Sequence, residues 1–207
     1  MTWDTSRTSS ITRVAGPAAL IGGLLGTVAV ILHSLEPTRC VGTECAAQPM
    51  RSASGLVTGI GAAAALLVLL GLVELTLMAR HSGRSPKLMN IGLACAAVGF
   101  LVLLAAVFIQ AAFFGGNFSG MPYLVVVGMV TLIIGFVLIG IFILRSGVLP
   151  RWLGVLLVAS SVLLLAANEQ TSAVLLAIPF QLAIATTGYF MLNRSRAPSR
   201  APASQLG

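Results

Sequence analysis

Charge is scarce in this sequence. Asp, Glu, Lys and Arg make up 8% of its 207 residues, against 57% hydrophobic residues. A soluble domain carries about 25% charged residues, so this chain has too few to cover a surface that faces water. Acids are the scarcer sign, five against twelve Lys and Arg, beside two histidines and three cysteines. Paired carboxylates and nucleophile–base pairs need such groups close together, and here they are spread thinly. No H-E-x-x-H, G-x-S-x-G or Walker loop occurs. Gly59-Ile60-Gly61-x-x-Ala64 matches a nucleotide-loop pattern, but it opens an apolar run and follows no strand, so the match is accidental. The expectation is a protein that is not an enzyme, with no cofactor and no metal. Basic faces interleaved with aromatics are also missing, so the formal charge of +7 does not point to nucleic acid.

Long apolar runs are what the chain has instead. They cover about residues 14–34, 55–79, 89–114, 121–144, 149–167 and 172–192. Each is near the ~20 residues that cross ~30 Å of hydrocarbon as a helix. Backbone groups must pair internally in lipid, so the expected fold is all-α: an integral membrane bundle of six transmembrane helices. The first run follows basic residues as a signal peptide would. It is longer than a signal core and no A-x-A site follows, so it is expected to be retained. The fifth run is the shortest. Residues 1–13 form a polar N-terminal segment, 14–192 the membrane domain, and 193–207 a low-complexity basic tail too polar to fold alone.

Six spans place both termini on one side. Arg7, Arg13, Arg80, Arg84, Lys87, Arg145, Arg151, Arg194, Arg196 and Arg200 then share that side, with Arg39 and Arg51 opposite. Basic loops stay in the cytoplasm, so N- and C-termini are expected to be cytoplasmic. Trp152 and Tyr189 fall at the inner interface and Tyr123 at the outer one.

Two turns resemble each other: L-M-A-R-H-S-G-R-S-P-K-L (77–88) and I-L-R-S-G-V-L-P-R-W-L (143–153). An ancient repeat of three hairpins would explain this, but so would ordinary turn chemistry, in which Gly ends helices, Pro starts them and cytoplasmic turns are basic. Residues 144–157, L-R-S-G-V-L-P-R-W-L-G-V-L-L, with their flanking spans resemble uncharacterised small multi-pass membrane proteins of actinobacterial type. The resemblance covers roughly the second half of the chain. It implies a helical bundle in a bacterial plasma membrane and implies no activity.

Glu74 is the only acid within an apolar run. An intramembrane acid is a functional-site candidate by default, holding a proton or a cation. The plainer expectation is an ion pair with Arg80, Arg145 or Arg151 reaching in from the boundary, Arg80 being six residues or ~9 Å further along the helix. Gln181 sits near the middle of the last run after Pro179, which is expected to free the Leu175 carbonyl and kink the helix. Thr131, Ser160 and Ser161 occur at similar depth. With Gln181 they either line a polar midplane layer or make ordinary interhelical hydrogen bonds. Gly22-x-x-x-Gly26 and Gly55-x-x-x-Gly59 mark small-residue faces suited to close helix packing, to a membrane-protein partner or to a second copy.

The largest outer loop holds Cys40 and Cys45 with Gly42 between them. Outside the cytoplasm such a pair is expected to form a disulfide. A metal site adding His33, Glu36 or Glu44 is the alternative, but its spacing does not fit the usual ligand patterns. Cys95, within the third run, reads as a packing residue. Membrane lipids are the certain partners. The expected role is a non-catalytic accessory or scaffolding subunit of a membrane complex. The alternative is a small transporter or a proton- or cation-coupled carrier built on Glu74 and the Gln181 layer.

Overall fold

The computed structural model describes residues 15–37, 54–81, 87–114, 118–168 and 171–196. These residues are helical almost throughout, and no strand occurs among them. The helices are α1 (Ala15–Leu35), α2 (Gly55–His81), α3 (Lys87–Phe113), α4 (Met121–Ser146), α5 (Arg151–Leu163) and α6 (Ile178–Arg196). A 3-10 turn, Leu164–Ala166, prolongs α5, and a 3-10 segment, Ser172–Ala177, leads into α6. Five stretches are long and apolar enough to cross a membrane: the first four helices and Ser172–Arg194. The chain is therefore a multi-pass membrane protein with an all-helical bundle. Its expected spans fall on these helices with small shifts of their ends. At the C-terminus the shift matters, because α6 runs to Arg196 and takes in the first residues of the expected tail.

The fifth run is the exception in length. With its 3-10 turn it covers Arg151–Ala166, about 25 Å at the usual helical rises, short of the ~30 Å hydrocarbon core. Contacts at the helix ends nonetheless fix where it starts. A Cβ on Gly16, at the start of α1, would touch Leu192 at the end of α6. Arg194 donates a hydrogen bond to the Val148 carbonyl in the α4–α5 turn. The start of α1, the α4–α5 turn and the end of α6 thus share one end, and the helices alternate in direction. Arg80, Arg145, Arg151 and Arg194 cluster here, which makes it the basic end.

Local chemistry sets the turns. Gly147 adopts φ 63°, the left-handed conformation that ends α4, and its N–H returns to the Ile143 carbonyl at 3.3 Å. Pro150 follows as the N-cap of α5, where a missing N–H costs nothing. Pro179 does not leave the Leu175 carbonyl free as the sequence suggests. It lies in the first turn of α6, where the chain changes from 3-10 to α geometry, and the Leu175 carbonyl is taken up by the Ile178 N–H. The 3-10 lead-in lets the proline enter without breaking a ladder.

α1 packs between α2 and α6, and α4 between α3 and α5. The hairpins are not equivalent: α5 packs mainly on α4, and α6 mainly on α1. Phe136 is fully buried at the centre, edge-on to Phe100 at 6.3 Å and to Phe180 at 4.7 Å. Leu75, Met89, Ile143, Leu153 and Met191 extend the core towards the basic end. Backbones approach closely between α3 and α4, where a Cβ on Gly135 would lie 2.5 Å from the Ala96 nitrogen, and between α1 and α6, where one on Gly188 would meet the Leu20 nitrogen.

The two small-residue faces have different fates. Gly22 packs α1 on α2 against Ala64 and Val68, and Gly26 receives the side chain of Gln181. Both are used inside the chain and are not free for a partner. Gly55 and Gly59 have nothing within 4 Å of where a side chain would begin, so they do not pack α2 on any described helix. The Cys40–Cys45 disulfide and the metal alternative with Glu44 fall outside the described residues. Cys95 is a free, half-buried cysteine.

Candidate intramembrane polar site

α1 and α2 are antiparallel, so the last turns of α2 lie beside the first turn of α1. Glu74 is placed there. It is 2% exposed, and its carboxylate accepts a hydrogen bond from the backbone N–H of Gly16. The first N–H groups of any helix lack intrahelical partners and carry the positive end of its dipole, so a carboxylate is a natural acceptor for them. Glu74 is an N-cap for α1 supplied by its neighbouring helix. This corrects the expected ion pair, since what meets Glu74 is a helix start and not Arg80, Arg145 or Arg151. The second carboxylate oxygen, Oε2, is buried and has no hydrogen-bond partner among the described residues.

Gln181 is not part of this site. Its amide lies against Gly26, ten residues along α1 from Gly16, or about 15 Å at 1.5 Å per residue. The hydroxyls named with it bond within their own helices and not between helices. Thr131 Oγ1 donates to the Val127 carbonyl of its own helix at 2.7 Å. Ser160 and Ser161 both donate to the Leu157 carbonyl, at 3.2 and 2.6 Å. Thr27, Thr76, Thr186 and Thr187 bond back to their own helices in the same way. Back-bonding of this kind satisfies a hydroxyl in lipid without any neighbour. The cavity between Ala19, Val68, Phe136, Leu157, Ile184 and Thr187 is about 10 Å³, room for no more than one water. Neither Glu74 nor Gln181 lines it.

A second polar cluster closes the opposite end of the α1–α2 pair. His33 Nδ1 lies 2.8 Å from Glu36 Oε2, and the Ser54 N–H donates to Glu36 Oε1 at 2.7 Å. Burial by itself would raise the Glu36 carboxyl. The hydrogen bonds from the Ser54 side chain and backbone and from His33, with the attraction of His33, outweigh it and hold the group below the usual carboxylate range. Glu36 thereby clasps the end of α1 to the residue before α2.

No family model, curated protein or solved structure matches this chain. The site is thus defined by its own atoms. Among the described residues no three of His, Cys, Asp and Glu gather into a metal-binding group. A lone buried carboxyl can cap a helix, take up a proton or accept a further donor.

Gly16 and Ser54 are the functional partners that sequence reasoning missed. Both act through backbone N–H groups, which no residue type advertises. A signal for Gly16 was present nonetheless. Consecutive membrane helices joined by one loop run antiparallel, which sets an acid in the last turns of α2 at the level of the first turn of α1.

Proposed function

We propose that this protein is an accessory or scaffolding subunit of a membrane complex in a bacterial plasma membrane, with both termini in the cytoplasm and no catalytic site of its own. The observation that carries this reading is the character of the bundle interior. Among the described residues, hydroxyls in the spans return to their own helices and the central cavity holds at most one water, which favours a packed interior over a solute pathway. The basic end supplies the orientation, because Arg and Lys clusters remain cytoplasmic.

A carrier is the second reading, and one observation favours it: Glu74 Oε2 is buried without a partner among the described residues. A buried polar atom left unpaired in a native protein calls for an explanation, and an exchanging proton or ion is one. Purification in mild detergent separates the two. The subunit reading expects a membrane-protein partner in fixed stoichiometry. A lone monomer whose proteoliposomes carry a proton or cation flux, lost in Glu74→Gln, would replace it with the carrier.

A further inference from the structure

The chain has no charged side chain from Leu88 to Leu144, a stretch that includes nearly all of α3 and α4 and the turn between them. The end of α1–α2 away from the basic end is different, with Glu36 and His33 clasped at the close of α1. At the corresponding end of α3–α4 the exposed side chains are aromatic. Phe108, Phe113 and Tyr123 are 65%, 72% and 77% exposed. Phe113 stands edge-on to Phe108 at 6.3 Å, and Phe114 stacks on Phe118 at 4.6 Å.

Helix length fixes the depth of these rings. From Arg145 at the basic end, 22 residues along α4 lead to Tyr123, about 33 Å at 1.5 Å per residue. That matches the ~30 Å hydrocarbon core and sets Tyr123 just past its far boundary. From Lys87, 26 residues along α3 lead to Phe113, about 39 Å, which is within the headgroup layer. The basic end carries the matching feature, with Trp152 and Tyr189 half-exposed on either side of Phe190 at 5.5 and 5.7 Å. Amphipathic rings collect at both boundaries of a bilayer. Here the two groups are a membrane's thickness apart.

We propose that the far tip of the α3–α4 hairpin is a lipid-interface anchor, with Phe113, Phe114, Phe118 and Tyr123 seated among the glycerol and headgroup region of one leaflet. The partner is the phospholipid surface itself. Its recognition is apolar and dipolar, since the tip offers no charge to select a headgroup. The far face is consequently split into a polar, water-facing α1–α2 side and a lipid-embedded α3–α4 side. This inference is independent of the subunit or carrier reading.

Single-tryptophan proteins test it. Phe113→Trp and Tyr123→Trp are each made in the full chain carrying Trp3→Phe and Trp152→Phe, and reconstituted in phosphatidylcholine vesicles. Lipid brominated near the carbonyl end of its acyl chains is expected to remove most of the emission, and aqueous iodide little of it. Quenching by iodide and not by bromolipid would put the tip in water and overturn the proposal. Quenching by neither would mean that protein covers the rings, and would overturn it equally. If that background fails to fold, a nitroxide on Ser119→Cys, with the native cysteines replaced, gives the same answer. Relaxation by oxygen above that by an aqueous nickel chelate supports the anchor, and the reverse order overturns it.

Discussion

At the scale of single residues, two carboxylates fasten α1 to α2, one at each end, by different means. Glu74 accepts the Gly16 N–H from within the bundle. Losing an N-cap acceptor costs about 1 kcal/mol, and up to about 2. Glu74→Ala is therefore expected to lower the thermal midpoint in detergent clearly. Glu74→Gln, which keeps a carbonyl oxygen in place, is expected to lower it less. Neutralising Arg80 or Arg145 in the Glu74→Ala background should restore nothing, and restoration by either would reinstate an ion pair. Glu36 answers to pH. Its folded-state carboxyl lies below the ordinary value of 4.5, so its stabilisation is present above that value and is lost as pH falls through the folded one. The group faces water, which limits the effect to under about 1 kcal/mol. Wild type is expected to be slightly more heat-stable than Glu36→Gln at neutral pH, with the margin closing in acid. A margin that persists unchanged at low pH would remove the charged clasp.

At the scale of helices, glycine placement separates true packing faces from decorative ones. A Cβ on Gly135 would meet the backbone of Ala96 at 2.5 Å and the Gly92 carbonyl oxygen at 2.8 Å, and backbone cannot move aside cheaply. Gly135→Ala is expected to force α3 and α4 apart at a cost of about 1–3 kcal/mol. Gly59→Ala meets nothing within 4 Å and gains helix propensity, so it should be neutral or stabilising by about 0.5–1 kcal/mol. Thermal unfolding of the two variants checks both signs. Equal losses would mean that Gly59 faces a helix of another chain. The G-x-x-x-G spacing of Gly22/Gly26 and Gly55/Gly59 is the same in sequence, and only the packing distinguishes them.

At the scale of the whole molecule, the question is whether the short α5 crosses the membrane. The Gly16–Leu192 approach and the Arg194–Val148 bond put the start of α5 and the end of α6 at the same end, so a crossing at α5 is the expected outcome. Cysteines engineered at Arg80 and Arg194, in a background lacking native cysteines, are expected to react with an impermeant maleimide from the same side, and one at Thr171 from the other. Arg194 and Arg80 labelling from opposite sides would leave five crossings and put the termini on opposite faces.

Much of this was legible in the order of residues. Apolar runs near the length of a bilayer crossing dictate helices, because no other open structure satisfies its backbone in lipid. Their positions, the glycine and proline turns, and the basic bias of alternate ends follow from local chemistry and hydropathy. Tertiary structure decided what each polar group does. Glu74, Gln181, Thr131, Ser160 and Ser161 share apolar surroundings in sequence, which says that each needs a partner and not which one. The serines and Thr131 found carbonyls one turn back in their own helices, Glu74 found the start of α1, and Gln181 found the space left by Gly26. Hydropathy is a property of a segment and can be summed along the chain. A hydrogen bond depends on positions within a few ångströms, and those are set only when the helices pack.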